Sequence, residues 1–290
     1  MAKSTNRVDL YQAVTDDILA LLEAGTKPWS KPWSGGTTIP LRHNGVPYRG
    51  INILSLWASA IRQGFASAHW LTFKQAQELG GNVRKGSKGT TVVYANKLVI
   101  KDEETDDERR VPFLKRYTVF NAEQIEGIEG KYPPSPAIIS NPDTRDAELE
   151  AMFGRIEADL RHGGSAAFYH TRDDYIQMPA FEAFHTGDDY YATLAHEATH
   201  WAGAESRLNR KTLISTSRAD YARDELVAEL GAAFLGATIG FKVEEREDHA
   251  AYIDYWLAAL RNDKRAIFEA AREAQNATDY LLAMMQEGGA

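Results

Sequence analysis

The sequence predicts an α+β protein in two parts: a small helical and antiparallel-sheet domain, then a mostly helical domain. Three observations carry this. The runs TTVVYANKLVI and VPFLKRYTVF, rich in β-branched and aromatic residues, lie close together in the first half, as paired antiparallel strands should. The segment EGKYPPSPAIISNPDT holds four prolines and reads as a linker. Beyond residue 143, apolar residues recur mostly with a helical period. The expected boundaries are a first domain over 1–130, a linker over 131–142 and a second domain over 143–290.

Taken in order, residues 7–24 form an amphipathic helix with Leu10, Val14, Ile18, Leu21 and Leu22 on its apolar face. GTKPWSKPWSGGTTIPLRHNGVPYRG is too rich in Gly and Pro for regular structure and reads as a long loop. INILSLWASAIRQG forms a second helix with Trp57 in its apolar pattern. HWLTFKQAQELGG forms a third, with Thr72 as N-cap. KDEETDDERR, between the strand runs, reads as a solvated hairpin tip or a disordered excursion without a function of its own. After the linker, helices are expected over DAELEAMFGRIEADLRHGG, DDYYATLAHEATHWAG, YARDELVAELGAAFLGATIG, HAAYIDYWLAALRND and KRAIFEAAREAQNATDYLLAMM. AAFYHTRDDYIQMP is an extended segment, read either as a core strand or as an edge strand that could accept a peptide.

Charge is uneven. The chain carries a net −8, yet Thr26–Lys101 holds eleven Lys/Arg against one acid, a net +10. Residues 131–290 hold 16 Lys/Arg and 27 Asp/Glu. The first interval should attract a polyanion and the second should not. With no cysteine, disulfides and thiolate metal sites are excluded. The amphipathic start lacks the apolar core of a signal peptide and no stretch reaches the length of a membrane span, so a cytoplasmic protein without a membrane partner is expected.

The helix around YYATLAHEATHWAG places His196 and His200 four apart, on one face, where both imidazoles can reach one divalent ion. Glu197 sits beside such an ion as a general base for water. Zinc is the natural occupant, with Mn as the alternative. The position of a third histidine in the extended motif is Ser206, so the third ligand must come from elsewhere. YARDELVAELGAAF offers Glu225 and Glu229 on one helix face. One can bind the ion while the other accepts the outer proton of a ligating histidine. Sequence leaves the two interchangeable. Tyr221, one turn before Glu225, is the candidate for stabilising an oxyanion, in competition with Tyr175, Tyr190 and Tyr191. A structural reading, with the histidines merely satisfied on a helix, stays open, as does a metal site without turnover.

The basic interval pairs cations with aromatic rings, as single-strand binders do. The candidates are Lys27, Trp29, Lys31 and Trp33 in KPWSKPW, then Arg42, Tyr48 and Arg49 in RHNGVPYRG. Trp70 and Lys74 follow, then Arg84, Lys85 and Lys88 in GGNVRKGSKG. No helix carries the dense basic face of a major-groove reader, so single-stranded DNA is the expected partner, with duplex bound more weakly. The alternative is that the tryptophans are core anchors.

These stretches carry a resemblance. KPWSKPW, YRGINILSLW, WLTFKQAQELGGNVRKGSKG and YTVFNAEQI are similar to the single-stranded DNA-binding domain that ArdC-type antirestriction proteins share with TraC primases of conjugative plasmids. YIQMP, LAHEATHWAG, SRLNR and YARDELVAELGAAFL resemble the zincin-like metallopeptidase domain of polyvalent proteins. The resemblance implies protection of incoming plasmid DNA from host restriction in the recipient cell. It also implies His196, His200 and Glu225 as ligands, Glu197 as base and Glu229 behind them. A host restriction protein is the further partner it suggests, as substrate of a DNA-targeted metalloprotease.

Overall fold

The computed structural model describes residues 9–29, 38–101, 108–132, 144–215, 217–243 and 250–286. In chain order the elements are α1 (Leu10–Glu23), β1 (Leu41–Arg42), α2 (Ile51–Gln63), β2 (His69–Thr72), α3 (Phe73–Glu78), β3 (Asn82–Val83), β4 (Thr90–Lys101), β5 (Glu108–Asn121) and β6 (Ile125–Glu126). Then follow α4 (Ala147–Phe153), β7 (Asp159–His162), β8 (Phe168–His170), β9 (Tyr175–Met178), α5 (Gly187–Ala202), α6 (Lys211–Ile214), α7 (Arg218–Ile239), α8 (Ala250–Asn262) and α9 (Ala266–Gln286). The chain is mixed α/β, with an N-terminal sheet region and a mostly helical C-terminal region. The expected linker lies outside the described residues from 133 on, as does most of the hairpin tip (102–107).

Two compact units result, Pro40–Pro133 and the combination of Met1–Ile39 with Pro134–Ala290. The expected first domain thus loses its first helix to the other unit. Side-chain pairing explains this: Thr15 donates to the Lys264 carbonyl (2.9 Å), Arg261 pairs with Glu23 (2.6 Å) and Lys264 pairs with Asp9. The rings of Tyr11 and Phe268 meet at 4.6 Å.

In the 40–133 unit the sheet order is β1-β2-β5-β4. β4 and β5 form the expected antiparallel hairpin, from Thr90↔Val119 to Lys101↔Glu108. α2 ends at Gly64, whose φ of 75° lies in the left-handed region that glycine tolerates. Thr72 and Gln75 form a reciprocal capping box at α3. The residues before it, expected as helix, are strand β2, because Trp70 and Leu71 pair with Asn121 and Phe120.

In the second unit a three-stranded sheet has the order β7-β9-β8. The long helix expected over 146–164 stops at Phe153, and Asp159–His162 becomes a strand parallel to β9. Local propensity favoured helix there, but pairing with Tyr175–Met178 decided otherwise. The extended segment 166–179 therefore divides into an edge strand, β8, and a central one, β9. The core of this unit gathers Ile176, Met178, Leu194, Trp201, Leu235 and Leu281 from β9, α5, α7 and α9. Among the described residues no helix is long and apolar enough to cross a membrane.

Candidate metal centre

The centre lies where α5 crosses α7. The two helices approach so closely at Gly231 that a β-carbon there would stand 2.6 Å from the Thr199 side chain. Thr199 in turn donates to the Ala195 carbonyl of its own helix (2.8 Å), which satisfies its hydroxyl within α5. Both helices are buried on almost every face along this stretch, so α7 lacks the one-sided apolar stripe of a surface helix.

At the crossing, His196, His200 and Glu225 bring their ligand atoms within 4.8 Å of one another, and all three are buried. The two Nε2 atoms are 3.1 Å apart. Each lies 3.5 Å from a different oxygen of Glu225. These separations agree with the edges, about 3.4 Å, of a tetrahedron with bonds of about 2.1 Å to nitrogen and oxygen. Three lone-pair donors converging in a dry site need a cation or a shared proton between them. The donor set therefore fits a divalent ion.

His200 is held from behind by a residue that the sequence reading did not single out. Its Nδ1–H donates to Asp224 at 2.7 Å, which leaves Nε2 facing the cluster. Asp224 also accepts from Arg210 Nε (2.5 Å), Arg210 Nη2 (3.1 Å) and Thr212 Oγ1 (2.8 Å). Arg210 is itself buried and donates to the Thr199 carbonyl (3.1 Å). Gly203 makes room for it: a β-carbon there would stand 2.6 Å from the guanidinium carbon. A chain of partners thus ties SRLNR, the end of α5 and the middle of α7 to one imidazole.

Burial raises the pKa of Asp224, but the hydrogen bond from His200 and the Arg210 charge outweigh it and hold the carboxyl well below its usual range. Burial likewise raises Glu225, and hydrogen bonds from both histidines bring it down. For His200, burial favours the neutral ring, yet Asp224 and Glu225 together raise it to about 10. An ion bound there would compete with the proton that these two carboxylates favour on His200.

Glu197 is buried on α5 beside His196. Glu229, the second carboxylate of the pair, accepts the indole N–H of Trp29 at 3.3 Å, and Asp224 is the acceptor behind His200. Spacing alone does not reveal Asp224, because the carboxylates four apart on α7 are Glu225 and Glu229. The signal was the acceptor that a ligating histidine needs on its outer nitrogen, together with a buried arginine nearby in sequence. Tyr221 is 52% exposed. Tyr190 and Tyr191 are buried and engaged with His162 (2.9 Å) and with Glu150 (3.0 Å) respectively.

Two family models match the chain. One describes the N-terminal domain of anti-restriction factor ArdC, over residues 8–120, and the other a zincin-like metallopeptidase, over residues 147–273. The metal-free crystal structure of the antirestriction ArdC protein from the R388 plasmid is 47% identical, with a TM-score of 0.86 over 97% of this chain and all of that one. The chain belongs to the ArdC antirestriction family. The Mn(II)-bound structure of that ArdC protein is also similar, with a TM-score of 0.84 at 46% identity. Uncharacterized protein y4eC of Sinorhizobium fredii is 38% identical over 290 residues, covering 96% of this chain and 93% of that protein. DNA primase TraC of Escherichia coli is 35% identical over 302 residues, and there the chain spans only 27% of the relative's length.

The ArdC N-terminal match, 8–120, straddles the two structural units, because residues up to Ile39 fold with the zincin-like part. This corrects the nucleic-acid candidates. Lys27 and Trp29 are 3% and 1% exposed, with Lys27 Nζ 5.9 Å from the Trp256 ring and Trp29 edge-on to the same ring at 6.1 Å. Neither is a surface stacking platform. Trp70 is also buried, against Phe65, and Tyr48 is buried. Lys31 and Trp33 lie outside the described residues. Arg42, Arg49, Lys74, Arg84, Lys85 and Lys88 are exposed, as cations for a polyanion must be. Of these, Arg84 is paired with Glu126 (3.4 Å) and Lys74 with Glu78 (3.5 Å).

Proposed function

We propose that this ArdC-family protein binds single-stranded DNA through its 40–133 unit and protects incoming DNA from restriction. Its α5–α7 crossing would hold one divalent ion. The observation that carries the metal part is the convergence of His196, His200 and Glu225 with His200 locked by Asp224. The two imidazoles and the carboxylate suit Zn, and Mn(II) is the ion bound in a crystal structure of the plasmid ArdC relative. A bound cation supplies Lewis acidity to a carbonyl or a water.

The chain's own residues do the rest. Asp224 keeps His200 in one tautomer, and Arg210 keeps Asp224 charged and in place. Glu197 is the base that takes a proton at the centre. Tyr221, with about half its surface exposed, is the candidate oxyanion donor. The DNA part rests on the exposed cations of the basic interval and on the likeness to ArdC and to the primase TraC.

The buried position of Glu197 beside the donor set favours a second reading, in which the centre cuts a peptide bond of a host restriction protein. Glu197→Gln separates the two, since it spares the ligands and removes the base. Protection of transferred DNA is the quantity to measure, beside single-strand affinity and metal content. Full protection is expected and would remove the peptidase from the antirestriction account. Protection lost with DNA and metal binding intact would establish the second reading.

A further inference from the structure

The 40–133 unit contains a cavity of about 300 Å³. It is formed by a change in what covers one face of the sheet. The β4–β5 register puts Thr90, Val92 and Tyr94 on the same face as Val119, Tyr117 and Lys115. At Thr90, Val92 and Val119 this face is buried, and Ser59 of α2 lies 2.5 Å from the Thr90 hydroxyl. Two residues further along the hairpin it opens, leaving Tyr94 48% and Tyr117 46% exposed. Asn52, near the start of α2, marks the step. Its carboxamide accepts from the Val93 N–H (2.7 Å) and donates to the Val93 carbonyl (2.8 Å). Val92 and Val119 line the cavity together with the two exposed tyrosines.

The lining has the chemistry of a nucleobase site. Its aromatic rings are flat and carry hydroxyl groups at their edges. Among the described residues that line it, Arg42 is the one charged group, its guanidinium carbon 5.5 Å from the Tyr48 ring, and none is a carboxylate. Burial pushes the Tyr48 phenol up to about 12, so that wall stays neutral. The volume is at the lower end of the roughly 300–1,000 Å³ of small-molecule pockets, enough for one flat ring system rather than a long chain. A peptide is disfavoured, because β4 is the sheet edge and Asn52 already occupies both backbone groups of Val93, where an added strand would pair.

We infer that this cavity takes one unstacked base of a single-stranded DNA, with the base against Tyr94 and Tyr117 and an adjoining phosphate on Arg42. The inference rests on the single-strand reading above and gives it a place. Base–aromatic stacking tolerates any base, so the site should show little sequence preference. It also transfers the stacking role from the buried Trp29 and Trp70 to rings that solvent reaches.

The test uses the full chain and an end-labelled oligothymidylate, read by fluorescence anisotropy over a series of salt concentrations. The double variant Tyr94→Ala/Tyr117→Ala should weaken binding roughly 5- to 150-fold, with its salt slope unchanged. Tyr94→Phe/Tyr117→Phe keeps the rings and should bind as the unaltered protein does. Arg42→Ala should lower the magnitude of the salt slope by about 1. Thermal melting should not move for any of them, since these side chains are exposed. If the unaltered protein binds with salt-dependent affinity and the double Ala variant matches it, the base site is overturned while the single-strand reading stands. If the unaltered protein does not bind the oligonucleotide, that reading falls and the base site with it.

Discussion

The α5–α7 crossing and the open end of the β4–β5 hairpin are built on opposite principles. At the crossing, charged groups are buried and each is held by another, from Arg210 through Asp224 to His200. At the hairpin, aromatic rings stand exposed over an apolar floor, beside an exposed guanidinium. A buried charge network tolerates no missing member, because whatever remains is left unpaired out of water. An exposed ring can be removed at little cost to the fold. The first region is therefore rigid and sensitive to charge, and the second is adaptable and suited to a ligand of variable sequence.

The largest effect that would break this contrast is expected at Asp224. Asp224→Ala strands the buried Arg210 charge and frees His200 to turn. It should cost about 3–5 kcal/mol of stability and about 10–100-fold in metal affinity. Thermal unfolding and a metal titration check both, and a small change in each would show that the network is not coupled. Asp224→Asn, which keeps the shape but not the charge, should fall between.

Trp29→Ala comes next. Its ring is buried against Trp256 in the zincin-like unit, so the variant should lose about 3–5 kcal/mol of stability. Its single-strand affinity, per folded molecule, should stay unchanged. A drop in affinity with the melting temperature intact would place the ring on the DNA surface after all.

A pH effect of intermediate size is expected in the metal-free protein. The His200 pKa is raised to about 10, above the ordinary 6.5. The stability this lends is complete below about pH 6.5 and is lost as pH rises through about 10. An ion needs the neutral ring, so metal affinity should rise over the same window and proton release should accompany binding. Calorimetry in buffers of different ionisation enthalpy measures that release, and its absence would mean that His200 is not the proton holder.

The smallest effect belongs to the exposed cations. Lys85→Ala or Lys88→Ala should alter stability by no more than about 0.5 kcal/mol, while lowering the magnitude of the salt slope for single-strand binding by about 1. Unchanged slopes would move the phosphate path elsewhere on the unit.

The parts legible in the sequence are those that local geometry decides. Helical spacing alone puts His196 and His200 on one face, since four residues complete little more than one turn. The alternation of TTVVYANKLVI and VPFLKRYTVF was enough for the hairpin, because both runs and their connection are local. The Thr72 cap was likewise contained in a few residues. Tertiary structure alone decided what depends on neighbours distant along the chain. Glu225 and Glu229 were equivalent by spacing, and the packing of α7 on α5 at Gly231 brings Glu225 to the histidines while Glu229 meets Trp29. The same holds for the aromatic residues of the basic interval. Lys–Pro–Trp reads alike whether its ring lies in solvent or in a core, because burial is a property of what packs against it. Trp29 is in the core because Trp256, more than two hundred residues later, covers it.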